Sequence, residues 1–244
     1  MTERNDCPPA AFCALPRGVF CYVSPRMDQR MIVDGLISYM CLIILITFHE
    51  FGHAWMASRR GDDTARHLGR ITLNPVAHME LFGTVILPLL AIFLALGESK
   101  LAGFVIGWGK PVPVNSANLK NRGVDWVMIA LAGPAMNILL AIISMALARG
   151  GQTFESAALM DFGFRLAIMN FALAYFNMLP IPPLDGSHLA RYFIGMSEET
   201  FLRIGQYGFF IVIVVIQLDP VRKALGFVTM NSFVLLARIF GING

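Results

Sequence analysis

The run from Met31 to Ala57 is apolar enough to cross a membrane, yet it contains His49-Glu50-Phe51-Gly52-His53. Its first part, MIVDGLISYMCLIILITF, carries one charge, Asp34. Ionisable groups inside a membrane span are costly and are functional by default. On a helix, positions i and i+4 share a face, so His49 and His53 can offer two imidazole nitrogens to a single metal ion. Glu50 points to a neighbouring face and is not needed as a ligand. In the zinc-hydrolase pattern, the glutamate after the first histidine takes a proton from the attacking water. A match of five residues with three fixed positions also arises by chance, and the apolar setting is what favours chemistry over coincidence.

Composition supports the membrane reading. Hydrophobic residues make up 56% of the 244-residue chain and charged residues 14%, against about 25% charged in a globular domain. So few charges cannot cover a water-facing surface, and the lipid bilayer is the expected surrounding. A net charge of +3 is too small to suggest a nucleic-acid partner. The four cysteines, Cys7, Cys13, Cys21 and Cys41, form no CxxC pair and suggest neither a zinc site nor a disulfide framework.

Taken in order, residues 1–30 are mixed and proline-containing and are expected to form a flexible tail without a secretory signal, with Met27 or Met31 as an alternative initiator. The first span, from about Met31 to Ala57, is followed by Arg59, Arg60, Arg66, His67 and Arg70, which place its end in the cytoplasm. At 1.5 Å per residue, His53 lies roughly 9 Å and His49 roughly 15 Å below that basic edge. A second apolar run covers Leu81 to Gly97. Leu101 to Gly109 is short and glycine-rich, which suggests a re-entrant or short β segment. Lys110 to Arg122 reads as a second cytoplasmic loop.

A third span, about Trp126 to Ala148, contains Ala132-Gly133-Pro134-Ala135-Met136-Asn137. Gly133 allows close helix approach, and Asn137 is either packing glue between helices or a donor to an oxyanion near the metal. A fourth span, Phe162 to Leu179, ends in a proline-rich break before Asp185-Gly186. Taken alone, Asp185 reads as an aspartate–glycine turn. With alternating crossings it also comes level with His49 and His53, giving three protein ligands and an open fourth position, the pattern of a catalytic zinc. Ser187 to Arg203 reads as an amphipathic connector. Ile204 to Leu218 and Ala224 to Phe240 are fifth and sixth apolar runs, although Arg222 and Lys223 between them conflict with an outside loop.

Four motifs in order, HEFGH at His49 to His53, GRITLNPVAH at Gly69 to His78, AGPAMN at Ala132 to Asn137 and NMLPIPPLDG at Asn177 to Gly186, give the chain a resemblance to the site-2 proteases. These are intramembrane zinc metalloproteases. The resemblance covers about residues 31 to 190. It implies that His49, His53 and Asp185 are ligands of one Zn2+ per chain, that Glu50 is the general base, and that Asn137 steadies substrate or oxyanion. It implies that Asn177 and Pro180 shape the broken helix ahead of the aspartate. His78 and His188 lie near the motifs without a matched ligand role. Relatives often carry PDZ or CBS domains, and no segment between the apolar runs here is long enough for either.

The expected fold class is therefore all-α, a polytopic transmembrane helix bundle of about five to six spans with a re-entrant or short β segment. Residues 1–30 form a tail, 31–190 the zinc metalloprotease core and 191–244 C-terminal hydrophobic helices. The function that the resemblance implies is hydrolysis of peptide bonds within or near transmembrane segments of regulatory membrane proteins, such as anti-sigma factors or membrane-tethered transcription factors. The expected location is the bacterial inner membrane, with the active site towards the cytoplasm. A helical substrate would expose its scissile bond through helix-breaking residues or by pairing with the Leu101 to Gly109 stretch. The rival readings are a catalytically silent zinc-binding scaffold and a metal transporter. A transporter calls for polar residues along several spans and often for inverted repeats.

Overall fold

The computed structural model describes residues 29–96 and 108–242. The expected tail lies outside these residues apart from Gln29 and Arg30, which open the first helix. Residues 101–107 of the expected re-entrant stretch also lie outside them. Eight α-helices follow in order: α1 (Gln29–Arg59), α2 (Thr64–His67), α3 (Leu87–Leu96), α4 (Arg122–Thr153), α5 (Ala157–Asn177), α6 (Gly186–Ile194), α7 (Glu198–Gln217) and α8 (Asp219–Ile239). No strand occurs among the described residues, and the all-α polytopic bundle expected from sequence is the fold observed.

Over the described residues, each of the six expected apolar runs is largely helical. Among those residues, four helices are long and apolar enough to cross a membrane: α1, α4, α5 and α7. The Leu81 run is a shorter helix that opens with a wide π-type turn, Leu81–Ile86, anchored where Glu80 Oε2 accepts from Gly83 N at 2.6 Å. α7 starts at Glu198, earlier than Ile204, because Ser197 caps it by accepting from Thr200 N. Large apolar side chains on α1, including Val33, Ile37, Met40 and Ile44, face outwards. That arrangement suits a lipid surrounding and would be costly in water.

α4 is the centre of the bundle, packed against α5 on one side and α1 on the other. Small residues permit these contacts, as between helices in lipid. A Cβ on Gly52 of α1 would fall 2.7 Å from the Ala132 carbonyl oxygen of α4. Near the α4–α5 turn, Met145, Ala148 and Ala167 are joined by Ala237 and Ile242, which docks the end of α8. At the opposite end, Ala57, Leu119 and Ile129 pack together with Met56, Val114 and Trp126 around them.

The loop after α1 is tied to that end by a fully buried aspartate, Asp62. Its oxygens accept from Thr64 N, Thr64 Oγ1 and Asn118 Nδ2 at Oδ1, and from Asn115 N at Oδ2, over 2.5–3.1 Å. Arg60 Nε donates to Asp125 Oδ1 at 2.7 Å, joining the end of α1 to the start of α4. These bonds fix the depth of α1 relative to α4, and hence the height of His49 and His53.

Candidate metal centre

α1 is continuous through His49 and His53, so both rings project from one face towards α4. Their backing differs. His53 Nδ1 donates to the Ile129 carbonyl oxygen of α4 at 2.7 Å. His49 Nδ1 lies 2.6 Å from Asn137 Oδ1. Gly133 lets the rings approach, since a Cβ there would sit 2.5 Å from His53 Cε1 and 2.7 Å from His49 Cε1.

The third group arrives from the break after α5. Asp185 occupies the N-cap position of α6 but makes no side-chain capping bond. Its carboxylate instead turns to the histidines, with Oδ2 3.1 Å from His49 Nε2 and Oδ1 3.2 Å from His53 Nε2. The plain turn reading of Asp185 leaves that orientation unexplained.

A metal ion suits this donor set. The two Nε2 atoms are 3.1 Å apart. Ligand atoms of a tetrahedral zinc with bonds of about 2.0–2.1 Å lie roughly 3.3 Å from one another. With both Nδ1 atoms facing oxygen acceptors, each ring in its neutral form directs an Nε2 lone pair at the point where the carboxylate also arrives. Asp185 Oδ2 is buried and accepts no hydrogen bond. An unpaired buried oxygen beside two lone pairs is costly unless a cation lies among them. Among the described residues, His49, His53 and Asp185 form the cluster of side chains able to hold a metal.

The three residues open onto a cavity of about 270 Å³, whose walls include Glu50, Ile46, Trp108, Phe176, Asn177 and His188. Glu50 lies on that wall beside Gly109, where a Cβ would sit 3.4 Å from Glu50 Oε1. Asn137 is not on the wall. It is fully buried behind His49, with Nδ2 donating to Asn170 Oδ1 at 3.3 Å. Pro180 belongs to the break that carries Asp185 round to the site.

His188 stacks on Trp126, with centroids 4.6 Å apart and planes 2° from parallel. Burial pushes its pKa down to about 4 against the pull of Asp185, which keeps the ring neutral near pH 7. His78 is buried outside the cavity lining but beside the same Gly109 that adjoins Glu50, with Nε2 2.8 Å from the Thr72 carbonyl oxygen. Sequence reasoning missed Asn170, Trp108 and the Ile129 carbonyl. Asn170 carries the signal that drew attention to His49, a polar residue inside an apolar run.

Residues 37–158 and 145–218 match the family model for peptidase family M50. The chain is 32% identical over 207 residues to the Bacillus subtilis protein "Putative zinc metalloprotease YwhC", an alignment covering 81% of this chain and 88% of that one. It is 30% identical over 190 residues to the Mycolicibacterium smegmatis protein "Putative zinc metalloprotease Rip2", covering 76% of this chain and 66% of that one. The Rip2 of Mycobacterium tuberculosis, under the same description, is 31% identical over 159 residues, covering 64% of this chain and 54% of its own. No solved structure matches with significance.

Proposed function

The chain belongs to peptidase family M50, the site-2 protease family, and from that premise we propose that it is an intramembrane endopeptidase that binds one zinc ion per chain through His49, His53 and Asp185. The observation that carries the reading is the convergence of two imidazole nitrogens and the otherwise unpaired Asp185 Oδ2 beside Glu50 on one cavity wall. A zinc ion held there supplies Lewis acidity, which activates water and polarises a peptide carbonyl. Glu50 accepts the proton of the attacking water on its carboxylate and returns it to the leaving amine nitrogen. Trp108, Ile46 and Phe176 give the cavity apolar walls suited to an apolar segment of substrate.

Substrates in this reading are transmembrane segments of regulatory membrane proteins. The site faces the cytoplasm of a bacterial inner membrane, since the basic residues Arg59, Arg60, Arg66, Lys110 and Lys120 gather at the loops beside it. Glu50 also separates this reading from its rivals, because neither a scaffold nor a transport site needs a base next to its ligands. The deciding experiment is cleavage of a model transmembrane substrate in proteoliposomes by wild type and Glu50→Gln, with zinc measured in both. Cleavage by wild type alone at equal zinc content is expected. Equal cleavage by the variant removes Glu50 as base, and zinc without cleavage in the wild type favours the silent scaffold.

A further inference from the structure

The two histidines are oriented by supports of different length. His53 Nδ1 meets a backbone carbonyl directly, at Ile129. His49 reaches one only through two buried amides: Nδ1 to Asn137 Oδ1 at 2.6 Å, Asn137 Nδ2 to Asn170 Oδ1 at 3.3 Å, and Asn170 Nδ2 to the Leu166 carbonyl oxygen at 2.9 Å. Asn137 and Asn170 are both 0% exposed, so water cannot substitute for a missing partner.

The direction of this chain is set at its far end. A backbone carbonyl can only accept, so Asn170 must turn its NH2 to Leu166 and its oxygen to Asn137. Asn137 must then turn its NH2 to Asn170 and its oxygen to His49. An oxygen at that point accepts, so the neutral His49 carries its proton on Nδ1 and leaves the Nε2 lone pair free. Rotating both amides by half a turn would press Asn170 Oδ1 against the Leu166 oxygen, two acceptors within hydrogen-bonding distance. The assignment therefore does not depend on which way either amide is drawn.

We infer that Asn170 is a positioning residue for metal binding, acting through Asn137 to hold His49 in the tautomer whose Nε2 can coordinate. This rests on the zinc reading above. It gives Asn137 the role of acceptor to His49 in place of the oxyanion donor expected from sequence, since its amide is engaged on both sides and lies behind the cavity wall. Residues that orient a metal-bound histidine typically change metal affinity 10–100-fold when removed.

The test is the zinc dissociation constant, by competition with a chromogenic chelator in detergent, for wild type, Asn170→Leu, Asn137→Asp and the double variant. Asn170→Leu is expected to weaken zinc about 10–100-fold, because it frees the Asn137 amide to rotate and offer N–H to His49. Asn137→Asp keeps an oxygen towards His49 but sets its other oxygen against Asn170 Oδ1, two acceptors face to face, and is expected to weaken zinc about tenfold. In that background, adding Asn170→Leu should bring no further loss and should restore part of the affinity, because it removes the acceptor that faces the carboxylate. Wild-type affinity in Asn170→Leu overturns the inference, and so does an equal loss from Asn170→Leu in both backgrounds, which marks a merely structural residue. If Asn170→Leu does not fold, Asn170→Ala takes its place alone and with Asn137→Asp: an equal loss from Asn170→Ala in both backgrounds overturns the assignment. Wild type without zinc overturns this inference and the metalloprotease reading together. Wild type that binds zinc while the variants break the pattern overturns only the positioning role.

Discussion

Asp62 and Asp185 are both aspartates withdrawn from water, but their surroundings differ. Asp62 accepts from two backbone N–H groups, a hydroxyl and an amide, and ties the loop after α1 to the segment before α4. Asp185 faces two imidazole nitrogens and leaves Oδ2 buried without a donor, although it sits at a helix N-terminus where a capping bond was available. A buried carboxylate with all its acceptors used holds the chain together. One kept short of donors beside two histidines has the surroundings that the proposed zinc site calls for, and the fold bears the cost of its desolvation.

The sharpest way to break this contrast is to fill the space against the two histidines that Asp185 faces. Gly133→Ala puts a methyl group against His53 and His49, and zinc affinity should fall by roughly 10–100-fold, since overpacking costs about 1–3 kcal/mol. Chelator competition would read this, and near-wild-type affinity would mean α1 and α4 can separate without loss of the site. Asp62→Ala should act oppositely, lowering stability by about 3 kcal/mol because several buried donors lose their acceptor. Folded protein should retain its zinc. Thermal unfolding with zinc analysis separates the two effects, and loss of zinc from folded Asp62→Ala would end the division between holding and binding.

The pH dependence of Asp62 refines the comparison. Burial alone would raise its pKa, but hydrogen bonds from Thr64, Asn118 and Asn115 outweigh it and hold the carboxyl below its ordinary value. A depressed folded-state pKa gives stability that is fully present above the unfolded value of about 3.9 and is lost as pH falls through the folded value. The melting-temperature gap between wild type and Asp62→Asn should therefore be constant from pH 7 to 5 and narrow below about pH 4. A gap that widens on acidification contradicts the sign. The smallest effect should come from Arg203→Ala on α7, which breaks an exposed pair with Glu199. That should change stability by less than about 0.5 kcal/mol and leave zinc unaffected, as measured by the same melts.

Much of this arrangement is legible in the sequence because lipid makes polar residues conspicuous. His49, Glu50 and His53 stand out from an apolar run, and helical periodicity alone puts the histidines on one face. Asp185 was legible through the alternation of spans, the proline-rich break and the motif resemblance at Asn177 to Gly186, since an aspartate–glycine pair on its own reads as a turn. The partners of Asn137 were not legible. Which way its amide points depends on Asn170 and on a carbonyl of Leu166, a pairing across helices that no spacing within one segment encodes. The knot around Asp62 escaped notice for a related reason: its donors come from residues 64 and 115–118, and loop sequence gives no periodic signal for such a contact. The wide turn at Leu81–Ile86 was likewise hidden in a run whose composition is simply apolar.

The most direct measurement is elemental analysis of zinc per chain in purified wild type and Asp185→Ala, each checked for folding by its melting transition. Near one zinc per chain in the wild type and a small fraction of that in a folded Asp185→Ala is the expected result. Full zinc in Asp185→Ala would contradict the central claim, because the carboxylate without a donor would then not be a ligand and the two histidines would need a third partner elsewhere.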